Sequence, residues 1–228
     1  VTVNYPSMVG IMHGMNEKGI VIAKAYSTVV PEEATVDGIP FTIMLRHALQ
    51  YGGSIDEVIN IIKKTPRTVG LNILVADAAR REAVVLEVSA YRMTVRRADR
   101  AHANFIYGAN RFLNSYLKDY QKPGWLSSAF RENRFERLMP AFLNDLTVET
   151  AVRILRDKGT EDPEAPTFLP SIQNYATIAS MVFDPDRLEI WVSAPGGFLT
   201  TDQVFIGISA AEVWRTGQPP TPVGFISA

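Results

Sequence analysis

Reactive chemistry in this 228-residue chain has few residue types to draw on. No cysteine occurs, which excludes disulfides, a thiolate metal site and a cysteine nucleophile within these residues. The three histidines stand apart: His13 beside a hairpin turn, His47 inside an amphipathic helix, His102 in a loop. One ligand type at such spacings assembles no metal site, so structural or surface roles account for them, and neither a metal nor a cofactor is implied. A Gly-x-Ser-x-Gly elbow, a Walker lysine loop and a His-Glu-x-x-His pair are all absent. Ser127-Ser128 could offer a hydroxyl nucleophile, but a helix N-cap explains the pair better. What remains is Asn110, just after a β-rich run, and Arg131, Arg134 and Arg137 on one helix. By themselves these read as a turn residue and a solvated face.

The elements that could position such groups begin with a hairpin. Two apolar runs flank His13-Gly14-Met15-Asn16-Glu17-Lys18-Gly19, and Gly19 can take the positive φ that closes a short loop. The second arm places Ile20, Ile22 and Lys24 on one face and Val21, Ala23 and Ala25 on the other, so the strand is expected to be covered on both sides. Small residues on the Val21/Ala23/Ala25 face leave room for a pocket, with Tyr26 at the far end of the strand.

Composition bounds what that pocket belongs to. The chain is 46% hydrophobic and 21% charged, ordinary globular material sufficient for one large domain, and residues 1–228 are read as one. Net charge is -1 with scattered basic residues, which leaves no footprint for nucleic acid or an anionic membrane. Arg96, Arg97 and Arg100 form the densest basic cluster and read as a solvated strand end. No apolar run approaches the roughly 20 residues of a membrane span, and no signal peptide opens the chain, so a soluble protein is expected, with the cytoplasm as its compartment. Val1 is not an initiator methionine, and Val-Thr-Val-Asn-Tyr reads as strand interior, so the expectation is a domain incomplete at its N-terminus.

Beyond the hairpin, Pro40 opens a helix to about Gln50 that Gly52-Gly53 stops. Ser54-Ile-Asp-Glu57 is a capping box for a helix ending at Thr65-Pro66. The period then changes: Leu71 to Ala76, Glu82 to Ser89, Tyr91 to Arg97 and Asn104 to Tyr107 predict an antiparallel meander. Ser128 to Asn144 predicts a helix with Phe135, Leu138, Met139, Phe142 and Leu143 along one side, split or kinked at Pro140. Thr147 caps a second helix reaching Lys158-Gly159. Residues 160–174 read as an irregular surface loop, Tyr175 to Phe183 and Leu188 to Ser193 as a second hairpin, and the tail around Pro219 to Pro222 as an extended surface segment. This order suits two sheets packed face to face with helices outside them.

Several stretches keep step with a known pattern. Gly14-Met15-Asn16-Glu17-Lys18-Gly19-Ile20, Ile39-Pro40, Asn72-Ile-Leu-Val-Ala-Asp77, Val84-Val-Leu-Glu87, Gly108-Ala-Asn110 and Asn133-Arg134-Phe135 occur in order. Together they resemble the choloylglycine hydrolase and penicillin V acylase group and the related acyl-coenzyme A:6-aminopenicillanic acid acyltransferase family, up to about Ser193.

The resemblance implies an N-terminal nucleophile (Ntn) hydrolase: an α+β, αββα sandwich of two antiparallel sheets with helices on the outer faces. Its nucleophile is a cysteine freed as the first residue by autoproteolysis, with its own α-amino group as base, a group of unperturbed pKa about 7.7 to 8.0. Carried over residue by residue, Tyr26 falls on a pocket residue donating to the oxyanion and Asn110 on the second oxyanion-hole donor. Arg134 falls on the arginine that organises the nucleophile, with Arg131 as the fallback. The expected activity is hydrolysis or acyl transfer at the amide C-N bond of a small N-acyl compound, with Val21, Ala23 and Ala25 lining the acyl pocket. The nucleophile must then come from a missing N-terminal segment or a companion chain, since Thr2 lies on the wrong strand and too near the turn. The alternative is a catalytically dead homologue that binds a small acyl ligand. A homo-oligomer is compatible with either.

Overall fold

Gly19, at φ 76°, closes the turn between β2 (His13–Met15) and β3 (Ile20–Tyr26). Asn16 gives that turn its rigidity: its side-chain oxygen accepts from the N–H groups of Lys18 and Ile20, both at 3.0 Å. Its amide donates to the carbonyls of Leu49 (2.9 Å) and Gly52 (2.7 Å), which lie at the end of α1 (Phe41–Tyr51) and would otherwise lack partners. The Asn-Glu-Lys-Gly stretch is therefore a structural bracket between hairpin and helix.

The computed structural model describes residues 1–5, 7–98, 105–123, 126–159, 172–173, 177–194 and 203–227. The chain falls into two compact units, Val1–Trp125 and Leu126–Ala228.

In the first unit, β1 (Thr2–Val3), β2, β3, β4 (Leu71–Asp77), β5 (Glu82–Val88) and β6 (Met93–Arg97) form an antiparallel sheet in sequence order. Between β3 and β4 come α1 and α2 (Ile55–Lys64). Ser54 caps α2 by accepting from Glu57 N, and the Glu57 carboxylate reaches back to Gly53 N, one residue earlier than an ideal capping box. The two helices bury Met44, Leu45, Ala48, Leu49, Ile55, Val58 and Ile62 against Ile20, Ile22, Leu71, Ile73, Val75, Val84, Leu86 and Val88. Each such side chain contributes roughly 1.5–3 kcal/mol over exposure. That fixes one face of the sheet.

The opposite face follows from the register. Ala25 pairs with Asn72, Asn72 with Glu87 and Glu87 with Thr94; one pleat on, Ala23 pairs with Leu74, Leu74 with Val85 and Val85 with Arg96. Directly paired residues share a face, so Val21, Ala23 and Ala25 stand with Asn72, Leu74, Glu87, Thr94 and Arg96, as their alternation requires. Val21 is buried, whereas Ala23, Ala25 and Leu74 are half-buried.

The expected fourth strand of the meander does not form: residues 105–107 are not strand, and Asn104 lies outside the described residues. The reason is a competition for backbone groups. The Arg96 side chain takes the Tyr107 carbonyl, and Asn72 and Glu87 take backbone groups of the residues that follow, so the chain is held here without a ladder. A short helix, α3 (Ser115–Lys118), follows it.

In the second unit, α4 (Leu126–Leu138) gives way to a 3₁₀ turn at Met139–Ala141, the split expected of Pro140. Two details differ from the pattern-based reading. The helix already begins at Leu126, so Ser128 is inside it rather than capping it. Its fully buried residues are Ser128 and Glu132, while Phe135, Leu138, Phe142 and Leu143 are only half-buried. Thr147 caps α5 (Val148–Leu155) in a reciprocal box with Thr150, and the helix ends short of Lys158.

β7 (Met181–Asp184) and β8 (Glu189–Ser193) form the second hairpin; its first arm is shorter than expected, since residues 177–180 are not strand and 175–176 lie outside the described residues. The tail supplies β9 (Phe205–Ser209), α6 (Ala210–Thr216) and β10 (Pro222–Ile226), giving a four-stranded antiparallel sheet in the order β10-β9-β8-β7. The tail is thus sheet rather than loose surface chain, because Gly207 and Gly224 leave space for the Trp191 indole: a Cβ on either would lie within 3.0 Å of the ring. The loop reading of residues 160–174 falls almost wholly outside the described residues. Among the described residues no helix is long and apolar enough to cross a membrane.

Candidate active site

Two polar residues sit where an ordinary sheet would carry apolar ones. Asn72 interrupts the run Leu71-Asn72-Ile73-Leu74-Val75, and Glu87 interrupts Val84-Val85-Leu86-Glu87-Val88; they are paired across β4 and β5 and are 2% and 0% exposed. Buried polar groups cost stability unless they are hydrogen-bonded. Both are, and their partners lie in the segment that carries Asn110.

The Asn72 amide nitrogen donates to the carbonyls of Ala109 (2.7 Å) and Arg111 (2.8 Å) and to the Ser27 hydroxyl oxygen (3.0 Å). The carbonyls of the residues on either side of Asn110 are therefore fastened to β4. Glu87 fastens the far end: one carboxylate oxygen accepts from Leu113 N (3.0 Å) and the other from Asn114 N (2.9 Å). Arg96 on β6 neutralises Glu87 through Nε at 2.5 Å and donates through Nη2 to Tyr107 O at 2.6 Å, holding the near end. Arg96 is accordingly a half-buried clamp, not the solvated strand end expected from the basic cluster. Arg97 does face outward, on Glu82, and Arg100 lies outside the described residues.

Held at 107, 109, 111, 113 and 114, the segment presents Asn110, whose side-chain amide donates to the Tyr26 carbonyl at 2.8 Å. Asn110 and Tyr26 are thus brought together, through the main chain of Tyr26. The Tyr26 side chain, 40% exposed, belongs by register with Ile20, Ile22 and Lys24, whereas Ala25 stands on the Asn72 face. The bond to Tyr26 fixes the Asn110 amide plane. Ala25, next to Tyr26 in sequence, is paired with Asn72, and Ala23 follows on the same face of β3.

Asn72 is retained at a cost, for its Oδ1 is buried without a hydrogen-bond partner, a deficit of about 1–3 kcal/mol. An apolar residue would avoid that penalty and release the Asn110 segment. Sequence reasoning missed Asn72, Glu87 and Arg96 as site-builders, although a lone amide and a lone carboxylate inside apolar strands were the available signal.

In the second unit, Arg134 forks onto Asp157, with Nε to Oδ2 at 2.8 Å and Nη2 to Oδ1 at 2.5 Å, and both side chains are largely buried. A bidentate pair fixes the guanidinium plane. Arg131, the fallback, bonds Ser127 O (3.3 Å) and Ser128 Oγ (3.2 Å), and burial lowers its pKa. Ser128 is thus a buried partner of that guanidinium, which argues against an activated nucleophile. Thr2 pairs with Gly14 on β1, and its hydroxyl accepts from the Asn4 amide at 3.1 Å.

Among the described residues no group of His, Cys, Asp and Glu is placed to hold a metal ion. His13 Nδ1 accepts from Lys24 N at 3.4 Å, and burial, with a smaller contribution from the Lys24 charge, lowers its pKa to about 4, so it is neutral at pH 7. His47 packs edge-on against Tyr51. His102 lies outside the described residues.

The family profile of acyl-coenzyme A:6-aminopenicillanic acid acyl-transferase matches residues 1–197. The chain belongs to that family. Its fold is that of Ntn hydrolases, α+β with two antiparallel sheets, shared with solved structures of low identity. A variant of the conjugated bile acid hydrolase from Clostridium perfringens is similar over the whole of this chain and 81% of its own, with TM-score 0.54 and 16% identity. The Caenorhabditis elegans orthologue of N-acylethanolamine-hydrolyzing acid amidase is similar over 81% of this chain and 74% of its own, with TM-score 0.53 and 13% identity. An uncharacterized protein of Archaeoglobus fulgidus is 31% identical over 101 residues, 43% of this chain. The match spans only 17% of that relative's length.

Proposed function

We propose that residues 1–228 supply the oxyanion hole and acyl pocket of an Ntn-type amide hydrolase or acyltransferase, as one functional domain acting on the C-N bond of a small N-acyl compound. The nucleophile is an N-terminal cysteine outside these residues, on a preceding segment or a companion chain. The observation that carries the reading is Asn110, whose amide is oriented by Tyr26 O on a segment anchored at both ends, beside a small-residue sheet face. Family membership and the amide-processing names of the two solved neighbours support it.

The chemistry follows from those parts. The cysteine thiol loses its proton to its own α-amino group and attacks the amide carbonyl carbon, and the carbonyl π electrons move to oxygen. Asn110 donates to that oxyanion, with Tyr26 setting the amide's orientation through its main-chain carbonyl, and this stabilisation exists only as charge develops. Collapse expels the amine, which takes the proton held by the α-ammonium group. The thioester then yields to water in a hydrolase, or to a second amine in an acyltransferase. Arg134, its plane set by Asp157, orients the nucleophile's surroundings, and Val21, Ala23 and Ala25 receive the acyl chain.

Acid-quenched incubation with short-, medium- and long-chain N-acyl-4-nitroanilides, followed by peptide mapping, tests the proposal. The expected adduct is one acyl group on an N-terminal cysteine outside residues 1–228. Acylation of a residue within 1–228, or tight binding of the free fatty acid with no adduct and no turnover, contradicts it; the latter is the signature of a non-catalytic acyl-binding homologue.

A further inference from the structure

We infer that Asn72 is the positioning residue for Asn110, setting the oxyanion-hole amide against the end of β3; this rests on the oxyanion reading of Asn110. Asn72 reaches three points that are remote in sequence: the carbonyl before Asn110, the carbonyl after it, and the hydroxyl of Ser27, the residue following Tyr26. It therefore connects both members of the Asn110–Tyr26 contact to the start of β4.

Glu87 and Arg96 anchor the segment farther out, at Leu113, Asn114 and Tyr107, and meet neither peptide group adjoining Asn110. Asn72 is the side chain of the sheet that holds the carbonyls on either side of Asn110. Its buried, unpartnered Oδ1 marks it as kept for its two N–H groups. Catalytic groups must be held within about 0.5 Å of productive geometry, and a displacement of about 1 Å can cost on the order of 10²-fold in rate.

The test is a double-mutant cycle in the full protein, using N-acyl-4-nitroanilides, with kcat expressed per acylatable site. Asn72→Leu removes both donors at similar volume, and Asn72→Ser retains one hydroxyl donor should the leucine variant not fold. The expected result for Asn72→Leu is a kcat loss on the order of 10²-fold with KM changed by less than about threefold, and a smaller loss for Asn72→Ser. On an Asn110→Ala background neither substitution lowers kcat further, because Asn72 acts through Asn110. Hydrogen exchange supplies a readout independent of turnover: peptides covering 105–114 lose protection while those of α2 keep it.

Additive losses, an unchanged kcat in Asn72→Leu, or unaltered exchange at 105–114 would each overturn the inference. The two levels fail separately. If Asn110→Ala leaves kcat intact, the oxyanion reading fails. If Asn110→Ala lowers kcat and Asn72→Leu does not, only the role of Asn72 fails.

Discussion

Replacing Glu87 with glutamine tests the anchoring of the Asn110 segment at nearly constant shape. Glu87 is fully buried and accepts from Arg96 Nε and Leu113 N on one oxygen and from Asn114 N on the other. A glutamine offers one acceptor oxygen, so its NH₂ must face either Asn114 N–H or the Arg96 and Leu113 donors. A buried N–H left without an acceptor costs about 1–3 kcal/mol, and loss of the charge-assisted bond to Arg96 adds about 1.5–3 kcal/mol. These neighbouring effects are not additive, so roughly 3 kcal/mol is the working figure. For a unit the size of Val1–Trp125, each kcal/mol lowers the midpoint by roughly 3–5 °C, which gives a drop of roughly 9–15 °C. Calorimetry reads the midpoint, and hydrogen exchange over 105–114 locates the loosening. A drop below about 2 °C with protection intact would refute the claim that Glu87 anchors this segment.

Acid stability carries a signature of His13. Its folded pKa of about 4 lies below the ordinary 6.5, so the unfolded chain binds the proton first and stability is lost as pH falls from 6.5 toward 4. Against His13→Asn, which keeps an acceptor for Lys24 N, the wild type should lose about 2–3 kcal/mol more between pH 7 and 4, and a pH-independent difference would contradict this. Ala25→Phe should shift acyl preference toward shorter chains at an overpacking cost of about 1–3 kcal/mol; unchanged preference in a stable variant would make this face core rather than pocket.

Local patterns were legible in the sequence because local interactions carry them. Gly19 at its turn, Ser54 and Thr147 at their helix starts and Pro140 at its break each act within a few residues. The alternation of β3 gave the two faces for the same reason. The run before Asn110 was misread as a strand because the Tyr107 carbonyl is taken by the Arg96 side chain, and no local periodicity encodes such a bond. Arg96 was misjudged on similar grounds: basic residues at a strand end look solvated until a buried carboxylate faces one of them. The last two strands of the C-terminal sheet were passed over because their glycines and prolines resemble loop punctuation, while Gly207 and Gly224 make room for Trp191. Resemblance, rather than spacing, gave Asn110, Tyr26 and Arg134, and the geometry adds what orients the first and third.

The most direct test of the account measures kcat per acylatable site and the thermal midpoint of Asn110→Ala in the full protein. An oxyanion-hole donor acts only as charge develops, so kcat should fall on the order of 10²- to 10³-fold, about 2.7–4 kcal/mol of barrier, with KM little changed. Loss of the hydrogen bond to Tyr26 O should cost about 1 kcal/mol of stability beside it. Near-normal kcat with a lowered midpoint would make Asn110 a loop residue and contradict the assignment of this site to acyl transfer.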